Sequence, residues 1–390
     1  MKRFLPFVML VMAFAYVTTT AFQCGSAELT SAKLYISQKQ YQKAEESLMK
    51  QIAKNDKDEE AWYLLGQVRL EQKNYSGMND AFTHALALAP THASEINRNR
   101  LSIWAMMYND GVKFYNAGRD TAEYFDRAVS CFQTAIMMEP DSSSTYYVAA
   151  LAQYAKKNLT TARELLTTGI EKKRDNPEAA RFRGQIEYTE ALDKLARKDS
   201  IGYREDMKLA ASSFELAYKS QPSNADNITS LIEVYDRLGE NDKAAEVTKS
   251  AVDRDPSNKL FRFAYGVFLL KKESYSEAAD QFKKSIELDP NYPDGIYNLG
   301  VTYLNWGIKL KDESSKNAEA EKKRTGREPK EDASYKEKFK MALPYLEKSA
   351  ELRPDDGLLW LQLGRLYAIL NNKDKSTAAF AKSDALLKSK

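Results

Sequence analysis

The chain has 390 residues, 43% of them hydrophobic and 29% charged, a balance that excludes a disordered polymer and fits two or three domains or one extended array. Its 58 Lys and Arg stand against 55 Asp and Glu, and two of the three net positive charges are Lys2 and Arg3, so the rest has no general pull on nucleic acid or acidic lipid. Two cysteines cannot build a disulfide framework, so the fold has to rest on a hydrophobic core.

The first element is a leader. Lys2 and Arg3 precede an apolar run of 14 residues, Phe4 to Val17, and then small and polar residues follow. That order predicts a secretory signal over residues 1–23, because the run is shorter than the roughly 20 residues a spanning helix needs. Cys24 stands at the junction, followed by Gly25 and Ser26, with Ala21 three places upstream. The junction resembles the lipobox of bacterial lipoproteins, which implies a cut before Cys24, acylation of its thiol and a membrane anchor. Gln23 departs from the small residue usual there. The competing expectation is ordinary cleavage after Ala21, which would leave the chain free in the periplasm.

Beyond the leader a pattern recurs. Six segments end in a proline: 75–90, 125–140, 207–222, 241–256, 275–290 and 339–354. In five of them a small residue lies twelve places before that proline: Ala128, Ala210, Ala244, Ala278 and Ala342, with Met78 the exception. This spacing predicts an amphipathic helix that stops near the proline. A second pattern precedes the first in "AWYLLGQV", "FRFAYGVF", "GIYNLGVTYL" and "GLLWLQLGRLY", with a large residue four places before a glycine, as Trp62 before Gly66 and Trp360 before Gly364. Each unit is therefore a helix pair. Gly66, Gly266, Gly300 and Gly364 are expected where two helices approach closely, and Trp62, Phe82, Phe282 and Trp360 to fill the space around them.

These residues resemble the tetratricopeptide repeat, a 34-residue helix-turn-helix unit. The resemblance covers residues 24–390 and implies an all-α fold, a right-handed superhelical solenoid of about nine helix pairs. Units of 34 residues fit 25–58, 59–92, 143–176, 225–258, 259–292 and 357–390, and longer ones 93–142, 177–224 and 293–356. The last carries a charge-rich insert at about 308–340, with its turn at "TGREP", read as two helix extensions forming a hairpin. Cys131 lies in the apolar helix "AVSCFQTAIMM" and is expected to be a buried small hydrophobe.

Chemistry finds little footing. The two histidines, His84 and His92, have no cysteine or paired carboxylate at ligand spacing, and no phosphate-cradling glycine loop exists, so no enzyme, cofactor or metal is expected. The resemblance implies instead a groove lined by the first helix of each unit. Its fifth and ninth positions are Tyr63 and Gln67, Tyr147 and Leu151, Phe263 and Val267, Tyr297 and Val301, and Leu361 and Arg365. An apolar, aromatic lining implies an apolar or extended protein segment as partner. The function expected is a scaffold for protein interactions in the bacterial cell envelope; the alternatives are an outer-membrane assembly factor and a repeat protein that binds a small molecule or glycan.

Overall fold

The computed structural model describes residues 26–173, 176–327 and 334–388; Cys24 and the signal segment expected over residues 1–23 lie outside them. Every regular element among the described residues is an α-helix, and the chain divides into two compact units, Met1–Asn176 and Pro177–Lys390.

In the first unit α1 (Ala27–Ser37), α2 (Tyr41–Lys54), α3 (Glu59–Glu71), α4 (Tyr75–Leu88), α5 (Ala93–Ala117), α6 (Glu123–Met138), α7 (Ser143–Ala155) and α8 (Leu159–Lys172) pack as consecutive antiparallel pairs, each also touching the pair before it. The second unit repeats the plan with α9 (Pro177–Ala196), α10 (Ser200–Ser220), α11 (Ala225–Leu238), α12 (Asn241–Arg254), α13 (Lys259–Lys271), α14 (Tyr275–Leu288), α15 (Pro293–Thr325), α16 (Ser334–Leu352), α17 (Gly357–Ile369) and α18 (Lys373–Lys388).

The helix limits follow from local chemistry. Asp58, Asn74, Asp199, Asn224, Asn258 and Asp356 each accept a hydrogen bond from a backbone N–H of the first turn of the helix they precede. The second helices end two residues before Pro90, Pro140, Pro222, Pro256, Pro290 and Pro354, as the restriction on the residue preceding a proline requires. Between the helices of a pair the chain turns through a left-handed residue. Lys39, Lys73, Lys157, Gly239, Glu273 and Asn371 have φ between 56° and 75°, and each is the fifteenth residue of its 34-residue unit. In the turn after α3, Lys73 N–H donates to Leu70 O and Asn74 N–H to Arg69 O, the paired closure of a Schellman motif, and the other five turns repeat it.

Only one of these six turns uses glycine, although a left-handed L-residue costs roughly 1–2 kcal/mol. Replacing Lys39, Lys73 and Lys157 together by glycine is expected to stabilise the first unit by about 2 kcal/mol, after the extra freedom glycine gives the unfolded chain is subtracted. Thermal unfolding checks this; an unchanged or lower midpoint would mean that the lysine side chains hold the turns by other means.

Within five of the pairs, glycine on the first helix meets a ring on the second, while Gly300 of α15 meets Leu346. A Cβ added at Gly266 would stand 2.8 Å from Phe282, at Gly111 2.5 Å from Phe132, at Gly184 2.9 Å from Phe214 and at Gly364 2.7 Å from Phe380. Gly66 meets Phe82 in the same way. Where the glycine is absent the partner is smaller: the same eighth and twenty-fourth positions hold Ala32 and Leu48, Ala150 and Leu166, all fully buried. Backbone approach and side-chain bulk are thus exchanged between the two helices at nearly constant volume.

The tryptophans behave otherwise. Trp62 and Trp360 are only half-buried, and their indole N–H groups donate to the carbonyls of Asp56 and Pro354 at 2.9 Å. Both pack against the core, as expected, but at its margin: Phe82 and Phe282 are fully buried, while the indoles sit where a carbonyl satisfies them. Trp62 stacks on His84, and the Lys382 ammonium lies over Trp360. Cys131 is half-buried, and burial together with Asp110 pushes its thiol pKa up.

Neighbouring pairs are tied through the eleventh residue of the first helix. Arg69 Nε donates to Glu45 at 2.9 Å, Tyr235 Oη to Glu215 at 2.5 Å and Tyr367 Oη to Glu347 at 2.5 Å. Burial first, and then the carboxylate, push the pKa of Tyr235 and Tyr367 far up from the usual phenol value near 10. A group whose pKa is raised on folding contributes its full stability below the unfolded value and loses it above. Stability should therefore fall from about pH 10 upward, by about 1.4 kcal/mol per pH unit for each tyrosine that ionises only when unfolded. Denaturant titrations from pH 8 to 11 test this: Tyr235→Phe should be less stable than the parent at pH 8 and show a shallower alkaline decline, and an unchanged slope would contradict the assignment.

Candidate functional site

The first helices of the second unit present residues two, five, six, nine and twelve of each repeat along one face. Its later part is apolar. Phe263 on α13 packs 5.8 Å from Phe282 and meets Tyr292 edge-on at 5.3 Å, and Tyr297 on α15 shares a hydrogen bond with Gln362 on α17 at 3.3 Å. Phe263, Val267, Tyr297 and Val301 are half-buried and rest on the unit's main core, so each shows only part of its surface. Leu361 is half-buried and Arg365 exposed. Two residues not expected from the sequence are far more open: Leu260 is 56% exposed and Leu358 62%, both at the second position of their units.

The earlier part of the face is polar. Arg181, Gln185 and Tyr188 from α9 and Asp226, Thr229, Ser230 and Glu233 from α11 surround a cavity of about 280 Å3 floored by Phe214. Tyr188 Oη donates to Glu233 at 2.5 Å, and Arg237 holds the same carboxylate while its guanidinium lies 5.5 Å above the Tyr188 ring. Burial, reinforced by Glu233, pushes the Tyr188 pKa up to about 12. The phenol therefore stays a hydrogen-bond donor at neutral pH. The cavity is not among the aromatic fifth and ninth positions that the sequence points to. Its signal lay in the same register, where Arg181, Gln185, Thr229 and Glu233 are polar.

In the first unit Tyr63 is held firmly. Its ring stacks on His92 at 3.7 Å, its hydroxyl accepts from Gln67 and donates to Glu95 at 3.4 Å, and His92 pairs with Glu59 at 2.8 Å. Tyr147 and Leu151 are half-buried on α7. These three are brought onto the first helices of one unit, and Phe263, Val267, Tyr297, Val301 and Leu361 onto those of the other. The arrangement offers hydrogen bonds, ring faces and aliphatic surface. Among the described residues no group of three His, Cys, Asp or Glu is placed to hold a metal ion.

Comparison with known proteins agrees with the architecture. Three family models, each described as tetratricopeptide repeat, match residues 29–93 and 230–293, 122–186, and 282–322, together more than half of the chain. Among curated proteins none matches. Solved structures that are similar include that of YrrB, described as a TPR protein with an unusual peptide-binding site, at 22% identity over 58% of this chain and 95% of that one, with a TM-score of 0.40. MamA is similar at 18% identity over 51% and 95%, with a TM-score of 0.39. MamA from Desulfovibrio magneticus RS-1 is similar at 14% identity over 53% and 96%, also with a TM-score of 0.39. The paired helices, their shared left-handed turns and the matched segments lead to one conclusion: the chain belongs to the tetratricopeptide repeat family.

Proposed function

We propose that this protein is a non-catalytic scaffold of a bacterial cell envelope, held to a membrane by a lipid on Cys24, and that it grips an extended segment of a partner protein along the first-helix face of its second unit. The observation that carries the reading is the run of Leu260, Phe263, Val267, Tyr297, Val301 and Leu358, which leaves two leucines more than half exposed in the unit that also holds the polar cavity. Such a face suits a segment that is apolar along one stretch and carries hydrogen-bonding side chains along the next. Large, partly immobilised rings give contact area at little entropic cost. A role in assembling outer-membrane proteins would be a narrower form of the same reading.

Leu260→Glu and Leu358→Glu are the telling variants, because both side chains are exposed and their change leaves the core intact. Detergent-solubilised envelopes should yield a stoichiometric partner with the parent chain and at least tenfold less with the double variant. Equal recovery would end the groove assignment. Fatty-acid incorporation that disappears in Cys24→Ser tests the anchor separately. The polar cavity also supports a second reading, a small polar ligand. It would be favoured by an unpartnered protein whose melting point rises with a low-molecular-weight envelope extract, and lost in Thr229→Leu.

A further inference from the structure

Away from the first-helix face, the second helices α14 and α16 bring two lysines together over the root of the long α15. The Lys338 ammonium lies 3.4 Å from the centre of the Trp306 ring, and that of Lys283 lies 5.8 Å from Tyr303. Tyr303 stacks between Trp306 and Tyr345, at 6.4 and 6.1 Å, so the two cations share one aromatic wall. Lys283 forms a long ion pair at 3.8 Å with Asp280, a largely exposed residue one turn away; no ion pair of Lys338 is found among the described residues. The other lysine pairs on α16 point elsewhere: Lys340 binds Glu337 and Lys348 binds Glu351.

Two ammonium groups set against neighbouring rings of one wall repel. Ring faces offset part of that cost, since the quadrupole of Trp or Tyr attracts a cation. The neighbouring Tyr303 side chain raises the pKa of Lys283, whereas burial and the Lys283 charge both lower that of Lys338. An anion seated between them would remove the repulsion and push the Lys338 pKa back up. Lysines act as compact point charges with rotatable donors and lack the planar fork with which arginine grips a carboxylate, so they suit a tetrahedral oxyanion with several oxygens.

We propose that Lys283 and Lys338, walled by Trp306, Tyr303 and Tyr345, form a binding site for a phosphate group. The site is independent of the first-helix groove. Trp306 reports on it directly, because an anion drawing Lys338 off the ring changes the indole's emission. The full chain is titrated with inorganic phosphate, with glycerol phosphate and with acetate at constant ionic strength and pH 7. A saturable fluorescence change is expected with both phosphates and not with acetate. It should vanish in Trp306→Phe, weaken at least tenfold in Lys338→Gln and in Lys283→Gln, and persist in Lys340→Gln. Thermal melts establish that each variant is folded. Tighter binding of the monoester would identify a phosphate carried on a larger molecule, and equal binding the free ion; either supports the site. A response that does not saturate, that acetate reproduces, or that survives in both folded glutamine variants overturns it.

Discussion

Gly266→Ala should destabilise the second unit by about 2 kcal/mol, even though alanine is the better helix former by about 1 kcal/mol. The added methyl would stand 2.8 Å from the Phe282 ring, which is fully buried and has nowhere to go. The gain in propensity is outweighed by an overpacking cost of roughly 3 kcal/mol at the upper end of what well-packed cores show. Phe282→Leu alone should cost on the order of 1–2 kcal/mol through the space it leaves. Combined, the two should be no worse than Phe282→Leu alone, because alanine facing leucine is the pairing already present at Ala32 and Leu48 and at Ala150 and Leu166. A double-mutant cycle in denaturant measures the coupling. Strict additivity would show that the glycine is needed for some reason other than the ring it faces.

Pro344→Ala should act in the opposite direction, raising stability by about 2–3 kcal/mol. Pro344 lies ten residues inside α16, is exposed, and removes one backbone hydrogen bond from the helix interior. Nothing in the packing around it compensates, since the buried residues of that helix, Phe339, Ala342 and Leu346 among them, occupy the other face. Its next neighbour, Tyr345, is a wall of the two-lysine site. If the bend that proline imposes serves to place Tyr345 against Tyr303, the alanine variant should be more stable and bind phosphate less well. A variant that is no more stable would mean that the helix has absorbed the proline without loss.

Much of the architecture was readable because repeats restate their constraints. The prolines marked the ends of six second helices, and the glycine four places after a large residue marked close approach on the first. The long units were harder. In α5 the glycine that meets a ring is Gly111, nineteenth in its segment, so the extra turns precede the repeat register instead of extending the far end. Counting back from Pro140 finds Phe132, but only the antiparallel contact reveals which residue of α5 faces it. The tryptophans pack against the core as their bulk suggests, but their place at its edge follows from a second need: an indole N–H requires an acceptor, and backbone carbonyls supply one there. The polar cavity was hidden because Arg181, Gln185, Thr229 and Glu233 look like ordinary surface residues until α9 and α11 are set side by side. Likewise Lys283 and Lys338 are 55 positions apart, and nothing in either segment announces the other.

The elongated pairs carry one further implication. In α15 and α16 the contact of Gly300 with Leu346 is repeated two turns on by Gly307 with Phe339, and in α9 and α10 the contact of Gly184 with Phe214 is followed by the buried pair Ala191 and Met207. On both helices of each pair the step is seven residues, the period at which antiparallel helices return to the same mutual face. These arms therefore grow as short coiled coils, in quanta of one heptad per strand, without disturbing the repeat beneath. Length becomes an adjustable dimension separate from the number of repeats. A chain can alter how far an arm reaches while keeping its binding face unchanged, and arms shortened by seven residues on each side should still close.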